Sequence, residues 1–287
     1  MRCVVIGLIQ PGEMGAAVGG LLTRRGHEVV WVSAGRSSET ARRAETAGLT
    51  DLGSVDALAA RSEVILSVCP PHAALDVART VSGAGFRGLY VDANAVSPDT
   101  TRAVGAAVEA AGASFVDGGI IGPPPQGMGS TRLYLSGAAA GLVAHLFEGT
   151  ALAPVVLTDE LGSASALKMA YAAWTKGSAA LLLTALSAAR AQGVEEALRE
   201  EWRLSQPGLL QRAEGAAAAA AGKGWRWVGE MEEIAATLAA SDLPDGFHQA
   251  AAEVFSRSGR DGSAASDART LEAVLRNLVG RRTTEKQ

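Results

Sequence analysis

The chain has little cysteine, no surplus of positive charge and no apolar run long enough for a bilayer, and each absence removes a class of protein. Two cysteines in 287 residues, Cys3 and Cys69, close at most one bridge, which excludes a disulfide-stapled secreted fold. Lys and Arg total 26 against 30 Asp and Glu, a net charge of −4, so there is no electrostatic footprint for nucleic acid. The most helical apolar run, Gly177 to Ala189 between Lys176 and Arg190, falls short of the ~20 residues of a membrane span. His27, His72, His145 and His248 are scattered without ligand spacing, so neither a metal site nor Ser-His-Asp chemistry is expected. With 48% hydrophobic residues and 20% charged ones the chain is not of disordered composition. These features predict a folded cytoplasmic protein of about two domains, away from membranes and nucleic acid.

Up to about residue 157, short β-rich runs alternate with helical stretches, the alternation of crossover units on a parallel sheet. The runs are Arg2–Gly7, Glu28–Ser33, Val64–Val68, Leu89–Asp92, Ser114–Asp117, Arg132–Ser136 and Val155–Leu157. The first three are nearly continuous in apolar residues, as strands covered on both faces should be. Beyond Asp159 the β-rich runs stop, and a helix of roughly 45 Å is expected over 162–192. The Ala-rich tract 215–222 reads as helix rather than linker. The fold class is therefore α/β, with a Rossmann-type parallel-sheet domain at 1–158, an all-helical domain at 159–280, to which the resemblance described below assigns substrate and dimerisation roles, and a frayed charged tail at 281–287.

Gly7-Leu8-Ile9-Gln10-Pro11-Gly12-Glu13-Met14-Gly15 follows the first strand and opens the first helix, where a dinucleotide pyrophosphate meets backbone amides at a helix N-terminus. Gly12, Glu13 and Met14 are the candidate contacts, although a G-x-G-x-x-G pattern would need Gly where Gln10 stands. The acid that would hold the adenosine ribose of NAD belongs at the close of the second strand, and there the chain has Ser33. Arg36 and Ser37 follow, suited to a 2′-phosphate, and no acid appears before Glu39. NADP is favoured over NAD; the competing reading is a solvated loop with an incidental arginine.

These residues resemble the 3-hydroxyacid dehydrogenase and 6-phosphogluconate dehydrogenase superfamily, whose members open with I-G-x-x-G-x-G-x-M-G; residues 6–15 match it except at Gln10. Ser67-Val68-Cys69-Pro70 is similar to its loop on the nicotinamide side, and residues 91–98 are similar to its D-x-S-T-x-S-P segment. The resemblance therefore implies cofactor contacts at Cys69, Pro70 and Asn94. Val116-Asp117-Gly118-Gly119-Ile120-Ile121-Gly122-Pro123 resembles its substrate loop, which implies substrate contacts at Gly119 and Ile121. The segment 162–168 resembles the one carrying the catalytic lysine, here Lys168. Two departures bear on substrate: Ile121 stands where relatives hold a carboxylate with Ser, and Ala172 where they have Asn. The whole pattern, through Trp227 and Met231, resembles an uncharacterised branch of that superfamily.

Without the family, Lys168 shares a helical stripe with Tyr171, Ala172 and Thr175 among apolar neighbours, which fits either a lysine snorkelling to solvent or one held in a pocket for proton transfer. The resemblance implies the second. The expected activity is hydride transfer between NADPH and a small carbonyl or hydroxy compound, with Lys168 as general acid and base. Imine reductases share this architecture, and reduction of C=N with Tyr171 as proton donor is the alternative; a catalytically idle nucleotide sensor is a third. Trp174, Met231 and His248 are candidate substrate contacts, weighed against plain core packing for the first two and helix capping for His248. The apolar run flanked by Lys176 and Arg190 is consistent with a buried helix of a homodimer.

Overall fold

Apolar five- and four-residue strands with matching crossover helices build the first part of the chain. The computed structural model describes residues 2–261 and 264–280; the tail 281–287, expected to fray, lies outside them. Eight strands form one sheet: β1 (Val5–Ile9), β2 (Glu28–Trp31), β3 (Thr50–Asp51), β4 (Val64–Ser67), β5 (Leu89–Asp92), β6 (Ser114–Ile121), β7 (Thr131–Ser136) and β8 (Leu152–Thr158), ordered β3-β2-β1-β4-β5-β6-β7-β8. Every neighbouring pair is parallel except β6 and β7. The sheet is thus mostly parallel, as expected, with one antiparallel pair. Residues 122–130 between them hold no helix, too short a link for the crossover that a parallel pair requires.

The helices α1 (Glu13–Arg24), α2 (Ser38–Thr46) and α6 (Ala140–Phe147) cover one face, where Val18, Leu22, Ala44 and Phe147 pack on Ile6, Leu8, Val29 and Leu133. On the other, α3 (Val55–Arg61), α4 (Ala74–Gly83) and α5 (Pro98–Glu109) bring Leu58, Ala78 and Val104 against Ile65, Tyr90 and Phe115. Adjacent strand residues such as Ile65 and Leu66 thus serve opposite cores, which is why these strands read as continuous apolar runs. Just past the end of α1, Gly26 adopts φ +85°, a left-handed conformation that glycine takes without Cβ strain.

Beyond the sheet all described elements are helices: α7 (Ser163–Ala191), α8 (Glu195–Ser205), α9 (Leu209–Ala239), α10 (Gly246–Arg257) and α11 (Ala268–Val279). The chain divides into compact units Met1–Met169 and Ala170–Gln287, so the boundary falls within α7 rather than ahead of it at 158/159. In the second unit the Ala-rich tract lies inside α9, whose Ala213, Ala217, Ala220 and Met231 are buried with Phe255 of α10 and Leu271 of α11. Arg190 and Arg199 each pair with both Glu195 and Glu272, joining the end of α7 to α8 and α11. Lys176 of α7 pairs with the buried Glu230 of α9 and lies 5.0 Å from the Trp227 ring centroid.

Candidate cofactor and proton-transfer site

The candidate residues of the first unit gather at the carboxyl ends of its strands, the crevice where open α/β sheets bind ligands. β1 delivers the turn Gln10-Pro11-Gly12 to the start of α1. Gln10 holds φ +62°, a left-handed conformation costing a non-glycine residue about 1 kcal/mol. The Gly12 N–H donates to the Gln10 carbonyl at 2.7 Å. A Cβ on Gly15 would stand 2.6 Å from that same carbonyl oxygen, whereas one on Gly12 would meet nothing within 4 Å. Gly15 therefore serves packing, and Gly12 leaves open space in front of the helix. α2, α3 and α5 begin with capping serines, Ser37, Ser54 and Ser97; α1 begins at Gly12 with no side-chain cap. The first turn of α1 thus opens on a glycine with room in front of it, an arrangement that fits an anionic pyrophosphate.

On one side of the loop, Ser33 closes the turn after β2 by accepting the Arg36 N–H at 2.9 Å. Arg36 is exposed, and its positive charge partly offsets the upward shift of the Cys69 thiol. The Ser37 hydroxyl accepts the Thr40 N–H at 3.2 Å and is spent capping α2. The sequence missed an acid here: Asp51, at the end of the two-residue β3, accepts the Ser33 N–H at 3.0 Å. The only signal for it would have been β3 itself, two exposed polar residues with no apolar run.

On the other side, Asn94 is buried and fixes the loop after β4. It accepts the Cys69 N–H at 2.5 Å and donates through Nδ2 to Ser67 Oγ at 3.1 Å. Asn94 therefore positions Cys69 and Pro70, with both ends of its amide engaged. Burial, followed by the negative charge of Asp92, pushes the Cys69 thiol up to about 12, so it remains a neutral S–H at physiological pH.

β6 brings up the last part. Asp117, fully buried, accepts the Ser136 hydroxyl at 2.9 Å and the N–H groups of Ala164 and Ser165 at 3.0 Å each, and the Ser165 hydroxyl at 2.6 Å. One carboxylate thus anchors the first turn of α7, and Lys168 rides on the next. A Cβ on Gly119 would lie 2.8 Å from the Ala164 carbonyl oxygen and 3.2 Å from Lys168 Cβ, so glycine is what lets the lysine helix approach the strand. Lys168 is half-buried, and Ile121, at the end of β6, is 5% exposed.

The remaining candidates belong to the second unit. Tyr171 and Trp174 of α7 are 48% and 71% exposed, while Met231 has no exposed surface; it stands on the core face of α9 beside Ile234. The His248 ring nitrogen Nε2 lies 3.1 Å from the Ala173 carbonyl oxygen, so it serves α7 as a helix-bracing contact.

Residues 5–146 match the NAD binding domain of 6-phosphogluconate dehydrogenase, and residues 189–258 match a domain of unknown function, DUF1932. The chain belongs to the 3-hydroxyacid dehydrogenase and 6-phosphogluconate dehydrogenase-like superfamily. It is 31% identical over 195 residues to an uncharacterised 28.5 kDa protein of Methanothermus fervidus, covering 68% of this chain and 74% of that one. Among solved structures, a conserved protein of unknown function, MTH1747, described as structurally similar to 3-hydroxyacid dehydrogenases, is 29% identical with TM-score 0.64 over 96% of this chain and 99% of that one. Two further structures share the fold. The 3-hydroxyisobutyrate dehydrogenase of Mycobacterium tuberculosis, solved with L-serine, has TM-score 0.69 at 18% identity over 96% and 99% of the chains. A variant imine reductase of Myxococcus stipitatus, in complex with NAD+, has TM-score 0.55 at 21% identity over 96% and 100%. This superfamily member is a dehydrogenase-like oxidoreductase with a nicotinamide cofactor. Among the described residues no helix is long and apolar enough to cross a membrane, and no group of three or more His, Cys, Asp or Glu could hold a metal ion.

Proposed function

We propose that the protein interconverts a small carbonyl compound and its alcohol with NADP(H), and that Lys168 carries the proton. The observation behind this reading is the pinning of Lys168 against Gly119 by the Asp117 anchor, which gives a flexible side chain a fixed root at the crevice. The nicotinamide, when bound, supplies or takes the hydride. Lys168 Nζ gives a proton to the carbonyl oxygen as the carbon is reduced and takes it back in the alcohol oxidation. The amides of Glu13 and Met14, with Gly12 leaving room, bind the pyrophosphate. Arg36 pairs with the 2′-phosphate, and the Cys69-Pro70 loop lies along the nicotinamide side. Ile121, buried, takes a polar contact from the substrate loop, so the substrate is less anionic at one end than a 3-hydroxyacid.

The experiment is a titration. NADPH should bind at least tenfold more tightly than NADH, about 1.4 kcal/mol, and Arg36→Ala should shrink that gap; equal affinities in the unaltered protein would refute the NADP assignment. Reduction of C=N is the second reading, favoured by Tyr171, which stands exposed one turn beyond Lys168 where it could donate a proton instead. We also read the protein as a homodimer, since α7 exposes Leu181 at 62% and Trp174 at 71%. Light scattering at micromolar concentration should then exceed the 29.2 kDa of one chain about twofold.

A further inference from the structure

We infer that Asp51 is a cofactor-specificity residue that works against the 2′-phosphate of NADP(H) and in favour of the free 2′-hydroxyl of NAD(H), resting on the proposal that the first unit binds a nicotinamide dinucleotide. An acid at the close of β2 is what grips the adenosine ribose in NAD-binding folds, and β2 of this chain has none. The sheet supplies one from the neighbouring strand. Trp31 pairs with Asp51 in the β2–β3 register, and two residues past Trp31 the Ser33 N–H donates to Asp51 Oδ1 at 3.0 Å. The Gly53 N–H donates to the same oxygen at 3.0 Å, so the carboxylate is held in place from both strand ends.

Two effects follow, both directed at a ligand lying along Ser33. Asp51 puts a full negative charge beside that position, and a 2′-phosphate brings nearly two more of the same sign. The carboxylate also occupies the backbone donor of Ser33, and the Ser33 hydroxyl, together with the Gly53 amide, holds the Asp51 carboxyl below the usual carboxylate range. The Ser33 N–H, taken by Asp51, is then not available to a phosphate oxygen. Arg36 opposes this with its positive charge, so the preference is the outcome of a contest between Arg36 and Asp51.

The test is Asp51→Asn in the full chain, read by calorimetric binding of NADPH and NADH and of the fragments 2′,5′-ADP and 5′-AMP. The substitution keeps shape and removes charge. A unit charge within about 8 Å of a dianion in a water-like dielectric corresponds to roughly a three- to fivefold change in affinity. NADPH and 2′,5′-ADP should therefore tighten by about that factor, NADH and 5′-AMP should not tighten, and the gain should diminish at high salt. Asp51→Ser, which also removes the charge but is smaller, should move the ratio the same way. Equal changes for phosphorylated and unphosphorylated ligands, in either variant, would make Asp51 merely structural and overturn the inference. Failure of the unaltered protein to bind any of the four ligands would instead overturn the dinucleotide reading on which it rests.

Discussion

Asp117 accepts the backbone N–H of Ala164 at 3.0 Å, and by that bond a sheet strand sets the position of the helix that carries Lys168. The same carboxylate holds Ser165 twice, and the Ser165 hydroxyl lies 2.6 Å from that of Thr101 on α5. The lysine therefore moves only if β6, α5 and α7 move together. Asp117→Ala would take the carboxylate acceptor from the buried Ser136 hydroxyl and Ser165 N–H, leaving the Ala164 N–H only Ser136 Oγ at 3.1 Å and the Ser165 hydroxyl only Thr101 Oγ1 at 2.6 Å, at a cost of about 2–4 kcal/mol. Thermal melting should show that loss. Asp117→Asn keeps the shape but turns a donor toward donors, and should lower kcat more than it weakens cofactor binding.

The two glycines of the first turn should separate cleanly. Gly15→Ala would press a methyl against the Gln10 carbonyl oxygen at 2.6 Å, strain of about 1–3 kcal/mol, visible as a lower Tm. Gly12→Ala meets no protein atom within 4 Å, so its Tm should stay near that of the unaltered chain while dinucleotide affinity falls about tenfold or more. Unchanged affinity in Gly12→Ala would remove the pyrophosphate from this turn.

The two thiols should differ in reactivity. Neither is in a disulfide; Cys3 is exposed and Cys69 partly buried, with its thiol raised to about 12. Since the thiolate is the nucleophile, a thiol reagent at pH 8 should label Cys3 rapidly and Cys69 slowly. Burial favours the neutral Cys69 thiol, so this contribution to stability is complete below the ordinary cysteine pKa and is lost as pH rises toward about 12. Rapid labelling of Cys69 in a Cys3→Ser variant at pH 8 would contradict this.

Much of this molecule is legible in its sequence because local pattern and final packing agree. Leu89–Asp92 reads as a strand and is one, and the Ala-rich tract 215–222 reads as helix and lies within α9. What escaped reading depends on contacts distant in sequence. β3 is two polar residues defined only by pairing with β2, and with it went Asp51. β6 runs on to Ile121 rather than stopping at Asp117 because β7 supplies hydrogen-bond partners for Gly118 to Ile121. The tasks of Asn94 and Asp117 are likewise invisible in the motifs that contain them, since the partners named above lie 19 or more residues away.

Lys168 is the centre of the account, and the kcat of Lys168→Met against a panel of small carbonyl compounds and imines with NADPH tests it most directly. The substitution keeps the packing of the stem and removes the ammonium group. General acid catalysis contributes about 10²–10⁴ in rate, so kcat on a carbonyl substrate should fall by that factor while NADPH affinity changes little. A Lys168→Met protein that turns over near the unaltered rate, while Tyr171→Phe is inactive, would contradict the account and move the proton to Tyr171.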